Sequence, residues 1–177
     1  VNGVGLRPVP YPEADRLVEI SQSHRKDPAL ATYMVSGPNF KDWKAQSRSF
    51  DGMSAYQWPR FVMTGGDEPL HVNGARVLAD FLPLMGLKPA LGRGFVPEDE
   101  TSGGVVLIAH DLWQQRFGGD PSVLGKSVTL DTNAYTVVGI LPPGYRYPVR
   151  AQVWVPLSPD SPFMRERSHR MGGVVAR

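Results

Sequence analysis

The sequence contains no cysteine, which excludes disulfides, thiolate metal sites and a cysteine nucleophile. No apolar run approaches the ~20 residues that a membrane-spanning helix requires, and no stretch has the pattern of a secretory signal peptide. The net charge is also small, because the 19 lysines and arginines are nearly balanced by 17 acidic residues. The basic residues are scattered, so the sequence offers no electrostatic footprint for nucleic acid.

Glycine and proline, by contrast, are abundant. The chain has 19 glycines and 17 prolines among 177 residues, and they fall between apolar segments rather than in one tract. An apolar content of 41% is ordinary for a globular chain with a core of its own. The composition therefore predicts a domain of short elements and many turns. The chain begins at Val1 and ends at Arg177 within a predicted strand, so we expect it to be a piece of a longer protein.

The most informative stretch runs from residue 103 to residue 147. Val105–Ile108 is a short apolar run typical of a buried strand, and residues 109–117 have the spacing of a helix that Gly118 would end. Residues 126–141 alternate on both sides of Thr132 and Asn133, which predicts a hairpin.

Elsewhere the elements are shorter. Ser36 and Pro38 predict a helix start, with Phe40 and Trp43 on one face and the same spacing continued by Phe50 and Met53. Leu87–Glu100 has no period and Ser158–Arg170 reads as a loop. The other predicted elements are strands at 17–21, 153–157 and 171–177, a hairpin of 60–64 with 71–77, and a helix at 78–85 that Gly86 closes, with Pro83 in a first turn near Asp80.

This mixed order of helices and strands predicts an α+β fold. Periodicity also predicts a core of large apolar residues: Leu17, Val18, Ile20, Phe40, Trp43, Phe50, Val106, Ile108, Leu112, Trp113, Phe117, Val128, Leu130, Val137, Ile140 and Val155.

Catalytic and metal-binding patterns are weak throughout. The four histidines, His24, His71, His110 and His169, show no metal-ligand spacing. The acidic run Glu98–Glu100 reads as a solvated loop, and Gly125-Lys126-Ser127 lacks the first glycine and the following helix of a phosphate loop. The sequence therefore predicts no enzyme, no cofactor, and no catalytic, cofactor-binding or metal site residue.

Several motifs in a fixed order resemble a known family. They include Phe-Gly-Gly-Asp-Pro at 117–121 before Gly125-Lys126, and Tyr-Thr-Val-Val-Gly-Ile-Leu-Pro at 135–142. Leu6–Pro12, Phe40–Trp43 and Leu84–Arg93 agree as well. Together they resemble the MacB-like periplasmic core domain of ABC transporter permeases in the FtsX-like family, and within that group the duplicated permeases of acidobacteria.

The resemblance implies two lobes. Residues 1–95 would begin a porter-like α/β lobe, 96–159 would form a smaller inserted β-rich lobe, and 160–177 would return, truncated, to the first lobe. It also implies a non-catalytic domain on the periplasmic side of the inner membrane, which transmits conformational change in efflux. The implied partners are the protein's own transmembrane helices, a cytoplasmic ATPase acting indirectly, an adaptor protein or substrate, and a second copy in the full-length dimer.

Two alternatives remain at the level of sequence. A soluble periplasmic ligand-binding module would need an apolar cleft, lined by several of Trp43, Trp58, Trp113 and Trp154. A hydrolase would need a histidine within reach of a nucleophile and a carboxylate that orients it.

Overall fold

Ten strands form one continuous mixed sheet in the computed structural model, which describes residues 12–22, 34–65, 68–170 and 172–177. The strands are β1 (Val18–Ile20), β2 (Met53–Gln57), β3 (Arg60–Thr64), β4 (Leu70–Val77), β5 (Leu91–Gly92), β6 (Val105–Ile108), β7 (Ser127–Leu130), β8 (Asn133–Ile140), β9 (Val153–Pro156) and β10 (Gly173–Ala176). The α-helices are α1 (Gly37–Gln46), α2 (Phe81–Leu84), α3 (Pro97–Ser102), α4 (His110–Phe117) and α5 (Pro162–Arg165). The predicted α+β class is confirmed.

Six of these strands close into a barrel. Hydrogen bonds join β4 to β3, β3 to β7, β7 to β8, β8 to β6 and β6 to β9 in turn. The ring closes where β9 returns to β4 in parallel, from Gly74 opposite Val153 to Val77 opposite Pro156. Closure removes the free strand edges that an open sheet would expose. Most of the larger buried cluster lies on these strands and on α4, including Leu130 and Trp154.

Strands β1, β10 and β2 pair antiparallel beside the barrel, and we call these three strands the ribbon. Val18 lies opposite Ala176, and Val174 lies opposite Ala55. The ribbon joins the barrel through a short register of β2 with β4, in which Gln57 lies opposite Arg76. A second buried cluster on the ribbon includes residues of α1 and α5 and contains Val35, Phe40, Met53, Ala55, Leu78, Leu157, Phe163, Met164, Val174 and Ala176.

Local capping signals explain where the predicted helices begin and end. The Ser36 side chain accepts a hydrogen bond from the Asn39 amide, and Pro38 occupies the first turn of α1, as predicted. Gly118 has φ of 62°, in the left-handed region where a helix commonly ends, so α4 stops where the sequence indicated. Pro83 is tolerated because it lies in the first turn of α2, after Asp80.

Three local predictions are wrong. Met53 does not continue a helical face but begins β2, where it pairs with Ala176. The sequence predicts no regular structure where the helices α3 and α5 form. They have only six and four residues, and the first begins at Pro97. Short helices give too few residues for a period to be detected.

The core prediction is confirmed for ten residues: Phe40, Val106, Ile108, Leu112, Trp113, Val128, Leu130, Val137, Ile140 and Val155. It is wrong for Val18, which is 41% exposed because β1 is an edge strand of the sheet. Five others are only partly buried: Leu17, Ile20, Trp43, Phe50 and Phe117.

The predicted boundary between residues 95 and 96 does not coincide with a break in the sheet. Strands β3 and β4 precede it, yet they pair with β7 and β9, which follow it. The two-lobe division stays a prediction. If it is drawn, the barrel strands require residues 60–77 to be grouped with residues 105–156.

Candidate functional site

Tyr56 stands where the ribbon meets the barrel. It lies in β2, opposite Val77 of β4 on one side and Gly173 of β10 on the other, and it is only 3% exposed. A Cβ atom added at Gly173 would stand 2.5 Å from the Tyr56 hydroxyl oxygen. The absence of a side chain at Gly173 therefore lets the Tyr56 ring lie across β10 and reach β1.

The Tyr56 hydroxyl joins three separate parts of the chain. It donates a hydrogen bond of 2.5 Å to the Glu19 carboxylate of β1. It accepts one of 3.2 Å from the hydroxyl of Tyr147, which precedes β9. The Tyr147 ring in turn stacks on Phe81 of α2, with 6.1 Å between ring centroids and 3° between planes. We call Glu19, Tyr56, Phe81 and Tyr147 the Tyr56 junction.

Burial is the main reason that the pKa of Tyr56 is raised above the ordinary tyrosine value, and Tyr147 and Glu19 raise it further. The hydroxyl therefore stays protonated far above neutral pH and remains a donor to Glu19. The Tyr56 hydroxyl therefore keeps this hydrogen-bond pattern over the whole neutral pH range.

At the other end of the ribbon, Arg177 connects the end of β10 to α2 and to the segment before β1. Its side chain is 13% exposed and donates to the Leu84 carbonyl at 2.8 Å and to the Glu13 carboxylate at 2.9 Å. Arg16 also pairs with Glu13, at 3.2 Å, and with Asp51 at 2.5 Å. Charge-assisted hydrogen bonds of this kind fix geometry more strongly than neutral ones.

The predicted acidic run is not a solvated loop but part of the framework. Asp99 is 5% exposed and accepts two hydrogen bonds from Arg93, at 2.7 and 3.2 Å. The bond from Arg93 is the main cause of a pKa of Asp99 below its usual value. Glu100 accepts from the Ala79 amide at 2.7 Å. These carboxylates hold α3 against two segments that precede it in the chain.

The histidines that the structure describes and the Gly125-Lys126-Ser127 turn lie in separate parts of the fold. Among the described residues, no group of three or more histidine and acidic side chains is placed to hold a metal ion. His24 lies outside the described residues, and the His110 ring packs edge-on against Trp113. Lys126 follows a turn at Gly125 and leads into β7, and its amino group donates to Ser122.

The four tryptophans do not share a cleft. Trp154 is fully buried and Trp113 is 8% exposed. Trp58 is exposed beside Val149, while Trp43 lines a different groove. The aromatic cleft that the soluble ligand-binding alternative requires is therefore not formed.

Sequence reasoning named none of the junction residues. The one signal in the sequence is the glycine pair Gly172-Gly173 inside the strand predicted at 171–177, since glycine in a strand often marks a close approach of another group. A Cβ at Gly172 would likewise collide, in this case with the ring of Phe163.

Comparisons with known proteins agree on one family. A family model described as the MacB-like periplasmic core domain matches residues 6–176. No relative was found among curated protein sequences. Within the described residues, none of the helices has the length and apolarity needed to cross a membrane.

Several solved structures share the fold, of which three are described. One is the extracellular domain of the noncanonic ABC-type transporter YknZ from Gram-positive bacteria, with TM-score 0.68, 16% identity, and coverage of 91% of this chain and 82% of that one. The periplasmic region of MacB from Actinobacillus actinomycetemcomitans gives 0.67 and 13%, with 91% and 73% covered. A domain described as part of a permease protein from Porphyromonas gingivalis gives 0.69 and 18%, with 94% and 76% covered.

Proposed function

Because the chain belongs to the family of MacB-like periplasmic core domains, it is the periplasmic domain of an ABC-type permease, and we propose that it transmits conformational change instead of carrying out a reaction. Permeases of this family work with transmembrane helices and an ATPase partner. The proposal is that movement of those helices enters this domain through the ribbon and reaches the barrel through the Tyr56 junction.

The observation that carries the proposal is the pairing of β1 with β10. These strands come from opposite ends of the described chain, yet they run side by side with Glu19 opposite Val175. A displacement of either strand is therefore shared with the other through backbone hydrogen bonds, and β10 passes it to β2. Rigid elements linked in this way can move as one body.

The contact from the ribbon to the barrel is narrow. Only Tyr56 and Gln57 of β2 pair with β4, and β2 then runs through Trp58 and Pro59 into β3. The Tyr56 side chain adds contacts to β1, α2 and the segment before β9 at this same place. These contacts favour a stiff coupling over a free hinge.

Two further partners of the full-length permease belong to this proposal. One is a second copy of the permease, and the other is a periplasmic adaptor protein or a transported substrate. No residue is assigned to either partner.

The test uses the full-length permease with its ATPase partner in lipid nanodiscs. Ala134 is exposed near the start of β8, so A134C provides a spin-label position on the barrel. We expect the distance between labels in the two copies to differ between the nucleotide-free state and a state trapped with ATP and vanadate. An ATPase partner that binds but does not hydrolyse nucleotide is the control. Identical distance distributions in a sample with proven trapping would refute the proposal.

A further inference from the structure

A groove of about 440 Å³ lies between the ribbon, β9 and α5, apart from the Tyr56 junction contacts. Gln57 and Arg76 contribute from β2 and β4, Pro156 from the end of β9, and Ser161, Phe163 and His169 from α5 and the segments that flank it. Gln57 and Arg76 are paired residues of adjacent strands, so the sheet fixes their relative position.

Arg76 provides an available cation in this groove. Its guanidinium group lies 5.7 Å from the centroid of the Phe61 ring, which orients it by stacking. It makes no ion pair with any other described residue. None of the described residues that line the groove is acidic. A partly buried guanidinium without a carboxylate partner attracts an anion.

Ser161 adds a second and independent observation. Its hydroxyl oxygen is buried and has no hydrogen-bond partner among the described residues. Buried hydroxyl groups in proteins are almost always hydrogen-bonded, so the Ser161 hydroxyl is a polar group that a ligand in the groove could satisfy. The Gln57 amide and the His169 ring supply further polar groups, while Pro156 and Phe163 make the rest of the wall apolar.

We infer that this groove binds a small carboxylate that carries a short apolar group, with Arg76 as the cation that holds the carboxylate. The planar guanidinium matches the two oxygens of a carboxylate, and the apolar wall accommodates the rest of the ligand. Such a group is offered either by a free organic acid or by the C-terminal residue of a peptide. The site shares the Gln57–Arg76 pair with the contact between the ribbon and the barrel. Binding of a carboxylate does not depend on transmission of movement, so either proposal can fail without the other.

The test is an NMR titration of the isotope-labelled 177-residue chain, in which binding is monitored through the amide chemical shifts. The probes are butyrate, its neutral analogue butyramide, inorganic phosphate, and an acetylated tripeptide Ala-Ala-Val with either a free or an amidated C-terminus. We expect saturable shifts with butyrate at the groove residues and none with butyramide. The same shifts with the free-acid tripeptide would assign the site to peptide C-termini. Their absence with that peptide, alongside binding of butyrate, would assign it to free acids.

Arg76→Gln keeps part of the side-chain stem and removes the charge, so the dissociation constant for butyrate should rise at least about tenfold. The matched control is Arg60→Gln, an exposed arginine of β3 outside the groove, which should bind as the wild type does. Ser161→Ala should also weaken the binding of butyrate, and it provides the test if the Arg76→Gln protein does not fold. Three results would overturn the inference: equal shifts with butyramide, preferential binding of phosphate, or wild-type affinity in a folded Arg76→Gln protein.

Discussion

Replacing Tyr56 by phenylalanine removes one oxygen atom from the junction and leaves the ring in place. The lost bond to Glu19 measures 2.5 Å and has a carboxylate acceptor, a class that contributes about 1.5–3 kcal/mol to stability. Glu19 is exposed and regains water, so the low end applies. The expected loss in the free energy of unfolding is about 1.5 kcal/mol, or about 3–6 °C in the melting temperature of a chain of this size.

Urea unfolding followed by tryptophan fluorescence measures this loss. The matched control is Tyr135→Phe, a partly exposed tyrosine of β8, which should change stability by no more than about 0.5 kcal/mol. Tyr147→Phe removes the donor of the second bond, so the double variant should lose less than the sum of the single losses. Equal stabilities of the Tyr56→Phe, Tyr135→Phe and wild-type proteins would refute the account of the junction.

The same variant has a signature in alkaline solution. The pKa of Tyr56 is raised in the folded protein, chiefly by burial, so the unfolded chain loses this proton first, near pH 10. The contribution of the hydroxyl to stability is therefore complete below about pH 10 and declines as the pH rises above that value. The stability difference between wild type and Tyr56→Phe should shrink between pH 9 and pH 11. A difference that stays constant over this range would contradict the assigned burial.

Three further variants test the framework by urea unfolding. Gly173→Ala should lower the free energy of unfolding by at least about 2 kcal/mol, because the added Cβ would collide with the Tyr56 ring. Gly94→Ala, whose Cβ would meet its nearest neighbour at 3.9 Å, should be nearly neutral. Equal effects of the two variants would contradict the crossing of β10 by the Tyr56 ring. Asp99→Asn should lower the free energy of unfolding by about 2 kcal/mol at pH 7, and by less as the pH falls through the lowered pKa of the carboxyl group. The control Glu98→Gln, at an exposed position, should cost little. A loss of stability that does not depend on pH would exclude the ion pair with Arg93 as its cause. Trp113→Ala should cost about 3–5 kcal/mol because the indole is buried and its NH donates to a carbonyl, and a loss below 1 kcal/mol would show that the site is not packed.

The stretch from β6 to β8 could be predicted from sequence because its signals are local. A glycine ends α4, and alternation on both sides of a short turn predicts the hairpin of β7 and β8. The turn itself lies at Asp131 and Thr132, one residue earlier than predicted, so Val128 pairs with Tyr135. The same kind of local reasoning misplaced Met53, since a spacing of three residues from Phe50 is consistent with a helix until the pairing with β10 is known.

The barrel and the junction depend on contacts between distant residues. Closure of the barrel pairs Gly74 with Val153, and no turn between these positions sets their register. Tyr56 meets Glu19 across 37 positions and Tyr147 across 91. Neither partner has a sequence pattern of its own. A carboxylate on a short strand and a hydroxyl in a turn look like ordinary surface residues until the two segments are placed.

The geometry of β4 determines how a displacement of the ribbon would spread. Its first half pairs with β3, and its second half pairs with β9 on one edge and briefly with β2 on the other. β4 therefore belongs to the closed ring along its whole length, and the ring resists deformation because every barrel strand has two neighbours. Since only two backbone pairs join β2 to β4, side chains must supply much of the stiffness at the seam. The Tyr56 junction adds contacts at that point, so weakening it should loosen the ribbon against the barrel before either part unfolds.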